Sequence, residues 1–135
     1  MIVLDCSAAL EIAQNTPLGQ ALRAHILPDE EIISPSLFCA EAANASWKYV
    51  HAGLVQAARA KQLMQDSLAL VDRFVPLEDL VIEAFAEAAR QDHSVYDMTY
   101  LVLTRRNDAT LMTCDKKLQE LCLNSGVNCV AQFDW

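Results

Sequence analysis

Four acidic residues sit where the chain is otherwise apolar. Asp5 closes the run "IVL", Glu41 lies inside "PSLFCAEAANASWK", Asp97 begins the apolar part of "HSVYDMTYLVLTRR", and Asp115 follows "ATLMTC". A carboxylate in such a position has a backbone amide to cap, a cation to bind or a proton to move. If the four converge, desolvation and mutual repulsion disfavour the cluster unless a cation or proton compensates. Hard divalent ions such as Mg²⁺ and Mn²⁺ take oxygen ligands and retain waters. Such an ion activates water and neutralises charge on a phosphodiester, and two ions do both at once. There is no H-E-x-x-H, and His25, His51 and His93 lack ligand spacing, which argues against a zinc hydrolase.

Each acid also has a purely structural use. Asp97 stands three residues after Ser94, a capping-box-like start whose helix dipole favours a carboxylate. Asp115 is placed to N-cap "KKLQELCL", and Glu41 to be a solvated helix residue. Asp5 is the hardest to explain this way, because it terminates an apolar strand. Neighbouring polar residues fit a shared site. Ser7 and Thr113 lie two residues from Asp5 and Asp115, where hydroxyls orient carboxylates or metal-bound waters. Asn44 lies one helical turn past Glu41 and Lys48 two turns past it. Lys116 and Lys117 follow Asp115, and Arg105 and Arg106 end the Asp97 helix, so all are candidate phosphate contacts or else ordinary surface charges.

The elements that must position these residues follow from periodicity and punctuation. Strands are expected at Ile2–Leu4, Glu31–Ser34 (stopped by Pro35), Phe74–Val75, Ala109–Thr113 and Val127–Val130. Helices are expected over "CSAALEIAQN", Pro17–Ile26, Ser36–His51 up to a break at Gly53, Leu54–Val71, Leu77–Arg90, the "HSVYDMTYLVLTRR" stretch, and Lys116–Leu123 stopping near Gly126. Short apolar strands alternating with amphipathic helices predict an α/β fold. It has three layers, α/β/α, with a parallel sheet of four to five strands. No linker or repeat divides the chain, so residues 1–135 read as a single domain. In such a sheet, sites gather beyond the carboxyl ends of the strands, and all four acids map to that edge.

Bulk properties narrow the classes. With 53% hydrophobic and 21% charged residues, the chain is neither disordered nor fibrous. No apolar run is long enough for a membrane span, and the start lacks a basic leader, so a cytoplasmic protein without membrane association is expected. Five cysteines without paired spacing suit reduced thiols. A net charge of −8 disfavours a simple nucleic-acid binder but permits a protein that gathers carboxylates around divalent cations.

The segments "IVLDCSAAL", "PSLFCAEAANASWK", "SVYDMTYLVL" and "LMTCDKKL" resemble, in order and spacing, those of PIN-domain proteins, and especially small VapC-type toxins. The likeness spans nearly the whole chain. It implies that Asp5, Glu41, Asp97 and Asp115 form a metal-binding catalytic quartet, with Ser7, Asn44 and Thr113 as accessory residues. It also implies a Mg²⁺- or Mn²⁺-dependent endoribonuclease of a type II toxin–antitoxin pair. Such a protein forms a homodimer and meets a cognate antitoxin whose C-terminal segment covers the acidic groove. Three other readings compete. A phosphoacceptor receiver domain expects paired acids after the first strand, and here Asp5 is followed by Cys6. A silent interaction module of the same fold would use Trp47, Tyr49 and Met64 as partner surface. A metal nuclease acting on another nucleic acid differs only in substrate.

Overall fold

The computed structural model describes residues 1–130. Strand β1 (Ile2–Leu4) leads into α1 (Cys6–Ala13) and α2 (Pro17–Ala24); β2 (Ile32–Pro35) leads into α3 (Leu37–His51) and α4 (Ala57–Leu68). After β3 (Arg73–Val75), a 3₁₀ turn at Leu77–Asp79 precedes α5 (Val81–Gln91) and α6 (Val95–Arg106), then β4 (Thr110–Met112) and α7 (Lys116–Asn124). The four strands form one parallel sheet in the order β3-β2-β1-β4. This is the expected α/β architecture, a four-stranded parallel sheet with helices on both faces.

Side-chain alternation along the strands explains the layers. Ile2, Leu4, Ile32 and Met112 point into one core with residues of α1, Leu22 of α2 and Phe38 and Ala42 of α3. Val3, Ile33 and Leu111 point into the other, against Ala84 of α5, Leu101 of α6 and Leu118 of α7. Because both faces are covered, the strands read as continuous apolar runs. From β1 the chain builds outward through β2 and β3, then returns to place β4 on the other side of β1. That reversal opens a crevice past the ends of β1 and β4.

Several boundaries differ from those expected, each for a local reason. Pro35 belongs to β2, paired with Val75, because a strand's last residue needs no amide of its own when Ser36 N–H supplies the next bond, to the Val75 carbonyl at 2.8 Å. Helix α3 ends before Gly53 as expected, where φ is +72°, and Gly126 at +67° follows α7 in the same way. The segment expected as one helix from Leu77 splits at Leu80 into the 3₁₀ turn and α5. Helix α4 is shorter than Leu54–Val71, and Leu54 is exposed. The strand expected at Val127–Val130 is reduced to one parallel bridge, Leu111 with Cys129. No described helix is long and apolar enough to cross a membrane.

Candidate functional site

Asp5, Glu41, Asp97 and Asp115 line one cleft of about 350 Å³, joined by Ser7, Asn44 and Lys48. Four segments deliver the acids. Asp5 ends β1, and although it holds the N-cap position of α1, its side chain makes no capping hydrogen bond. The carboxylate is instead held by hydroxyls. Oδ2 of Asp5 accepts from Ser7 at 2.7 Å and from Thr113 at 2.6 Å. Those hydroxyls are fixed in turn, since Cys114 N–H donates to Ser7 Oγ and Asp115 N–H to Thr113 Oγ1, both at 3.0 Å. A single network thus ties the ends of β1 and β4 together.

Glu41 reaches the cleft from the second turn of α3. It is half-buried rather than solvated, and its Oε1 accepts from the Tyr100 hydroxyl at 2.5 Å. Tyr100 is buried in α6, one turn beyond Asp97. Asp97 itself faces His93, whose Nε2 lies 2.7 Å from its Oδ2. Capping of α6 falls to Ser94, which accepts from Tyr96 N–H at 3.1 Å. Asp115 does cap its helix: Oδ1 accepts from Lys117 N–H at 2.9 Å and Leu118 N–H at 3.3 Å. The structural use of Asp115 and its place in the cleft are compatible, because the cap engages Oδ1 alone.

That division recurs. Glu41, Asp97 and Asp115 each engage one carboxylate oxygen with the protein, and no hydrogen bond to the other is found among the described residues. Burial raises the carboxyl pKa of Asp5 against the hydrogen bonds of Thr113 and Ser7, and the charge of Asp97 adds to the rise. Burial also raises that of Glu41, despite the Tyr100 hydrogen bond, with the charges of Asp5 and Asp97 adding to it. Among the described residues, this corner has hydroxyl donors and one lining Lys or Arg, Lys48. Oxygen donors of uncompensated charge fit a hard divalent ion. The cleft is open, however, and no three His, Cys, Asp or Glu side chains among the described residues already form a metal-holding group.

Other expected site residues are placed differently. Lys116 and Lys117 are exposed beside Asp115 without lining the cleft. Arg105 lies eight residues past Asp97, about 12 Å along the axis of α6 at roughly 1.5 Å per residue. It bonds Glu83 at 2.7 Å and Glu87 at 2.8 Å, so packing against α5 removes it from the cleft. Arg106 also binds Glu83, at 2.8 Å. The Cys6 thiol lines the cleft, but burial and the charges of Asp5 and Glu41 push its pKa up to about 12, which keeps it protonated. Two residues were not read from sequence as part of the site. His93 was legible in principle from its four-residue spacing to Asp97; Tyr100 stands in the "YDMTY" pattern at the helix start, but its partner Glu41, 59 residues away, leaves no local signal.

Comparison with known proteins identifies the family and the fold. The sequence model of the PIN domain family matches residues 2–123. The chain is 32% identical over 120 residues to Ribonuclease VapC12 of Mycobacterium tuberculosis, covering 89% of this chain and 91% of that protein. It is 25% identical over 124 residues to Ribonuclease VapC3 of Pyrobaculum aerophilum, covering 88% and 92% respectively. The crystal structure of PAE2754 from Pyrobaculum aerophilum superimposes with a TM-score of 0.68 at 25% identity, covering 88% of this chain and 84% of that one.

Proposed function

The chain belongs to the PIN domain family, and on that premise we propose that it is a Mg²⁺- or Mn²⁺-dependent endoribonuclease, the toxin of a type II toxin–antitoxin pair. The observation that carries the reading is the convergence of Asp5, Glu41, Asp97 and Asp115 on one cleft. Asp5 and Asp97 are proposed as direct metal ligands, with Glu41 and Asp115 acting through waters or orienting the nucleophile. When bound, the metal supplies an activated water and neutralises charge developing on the scissile phosphate.

The chain's own residues prepare that chemistry. Ser7 and Thr113 set the rotation of the Asp5 carboxylate, Tyr100 that of Glu41, and His93 that of Asp97. Fixing ligands in this way removes reorganisation from the reaction itself. Lys48 offers a cation to a phosphate at the cleft wall, and Asn44 a neutral amide. Lys116 and Lys117 stand beside Asp115 for further backbone contacts. The nuclease is read as a single cytoplasmic domain that forms a homodimer, for which exposed Ile82 and Phe85 of α5 offer apolar surface. A cognate antitoxin would cover the acidic cleft with its C-terminal segment.

The test compares the wild type with Asp97→Asn on unstructured RNA, in Mg²⁺ or Mn²⁺ and in chelator. Wild type cleaves only with metal, and Asp97→Asn loses about 10²–10³-fold in rate while remaining folded. Equal rates for the two proteins would remove the assignment. Binding of a partner with no cleavage of RNA would favour the silent module, and cleavage of DNA alone the other nuclease reading.

A further inference from the structure

Helix α3 continues past the cleft as an exposed aromatic and basic surface. Asn44, Trp47, Lys48 and His51 recur at helical spacing on one face, and Asn44 and Lys48 line the cleft wall. Trp47 is 56% exposed, an unusual state for the largest side chain. It stacks on the His51 ring with centroids 5.0 Å apart and planes 14° from parallel. Trp47 lies six residues beyond Glu41, about 9 Å along the axis at roughly 1.5 Å per residue.

Charge distinguishes this face further. In a chain of net charge −8, the stretch from Ala42 to Gln65 has no acidic residue and carries Lys48, His51, Arg59 and Lys61. Arg59 and Lys61 are exposed in the first turns of α4, next to the end of α3. No ion pair of Lys48, Arg59 or Lys61 is found among the described residues, as is also true of Arg23, Lys116 and Lys117, whereas Arg73, Arg90, Arg105 and Arg106 all have carboxylate partners. Unpaired cations around an exposed stacked aromatic match single-stranded nucleic acid, which combines backbone charge with flat base faces.

We propose that Trp47, backed by His51, is a base-stacking platform for single-stranded RNA leaving the acidic cleft, with Lys48, Arg59 and Lys61 tracking its phosphates. This deepens the ribonuclease reading and rests on it. The platform holds a nucleotide beyond the scissile bond, so it acts on substrate binding rather than on chemistry.

Trp47→Leu keeps apolar surface but removes the ring, whereas Trp47→Phe keeps a ring. Both are compared with wild type for cleavage of an unstructured single-stranded RNA. Binding of the fluorescein-labelled RNA is measured by anisotropy with the same changes in an Asp97→Asn background, so that the RNA stays intact. Trp47→Leu should weaken binding and raise KM about tenfold or more with kcat little changed, and Trp47→Phe should restore most of the loss. Lys48→Ala and Lys61→Ala should each lower the slope of log K against log salt by about 0.7, which Trp47→Leu should leave unchanged. Wild-type binding by Trp47→Leu, with cleavage intact, overturns the platform and leaves the nuclease reading standing. If the wild type neither binds nor cleaves RNA, both fall. Loss of self-association or of a protein partner in Trp47→Leu, with RNA affinity unchanged, marks the face as a protein interface and also overturns the proposal.

Discussion

Helix α6 carries charge at both ends, and the two ends are treated in opposite ways. At its C-terminal end, Arg105 and Arg106 meet Glu83 and Glu87 of α5 in three short ion pairs, with Arg90 and Gln91 completing the shell around Glu87. Gln91, Arg105 and Arg90 together lower the Glu87 carboxyl to a pKa of about 2. At its N-terminal end, Asp97 shares a cleft with Asp5, Glu41 and Asp115, and burial with mutual repulsion raises Asp5 and Glu41 instead. One end satisfies its charge within the chain and ties two helices together. The other leaves charge unbalanced, which is unfavourable for stability and favourable for holding a cation. Charge thus stabilises the fold where its partners are internal, and where cationic partners are sparse it is left available for the ion proposed above.

The largest effect that would break this contrast is expected at the balanced end. Glu87→Ala removes the acceptor shared by Arg90, Gln91 and Arg105, leaving Arg105 with Glu83 alone, and should lower unfolding free energy by about 2 kcal/mol, measured by urea denaturation, with RNA cleavage per folded molecule unchanged. A matching loss of cleavage would mean that the two ends are coupled through α6. Next in size is stabilisation by Mn²⁺. At ten times its dissociation constant it should add about 1.4 kcal/mol to the wild type and much less to Asp97→Asn, seen as a shift in Tm. An equal shift in both proteins would place the ion elsewhere.

The smallest effect, and the sharpest in sign, is pH dependence. Glu87 has its folded pKa below the ordinary value of about 4.3, so its contribution is present above that pH and is lost as pH falls toward about 2. Asp5 has its folded pKa raised, so its contribution is present below the ordinary carboxylate range and is lost as pH rises through the raised value. Stability curves from pH 2 to 7 should therefore separate the variants. Glu87→Gln should flatten the acid limb, and Asp5→Asn should gain relative to wild type as pH rises toward neutrality. Parallel curves would show that the two ends titrate alike.

Much of this was legible before any coordinates. Asp5 and Asp115 mark the ends of β1 and β4 because an apolar run that stops at an acid is a strand leaving the core. The sheet class followed from the alternation of short runs with helical periods, and the helix stops from Gly53 and Gly126. Arg105 shows where such reading fails. Its type and its place on the Asp97 helix suggested a phosphate contact, yet its partners are fixed by which face of α6 meets α5. Trp47 was left open between surface and core, because helical spacing cannot say which stripe of α3 is covered; the sheet side takes Phe38 and Ala42, and Trp47 stays outside.

The sequence by itself determined the order of the four strands and the main helices, the stops at Gly53 and Gly126, and that four carboxylates belong to the same edge of a parallel sheet. These are consequences of backbone geometry and side-chain period, which act over a few residues. Only the tertiary structure decided that Tyr100 holds Glu41, that Thr113 holds Asp5 across 108 residues, and that the arginines serve α5 rather than the cleft. Those pairings depend on the rotation and packing of whole elements against the sheet, which many distant contacts set together.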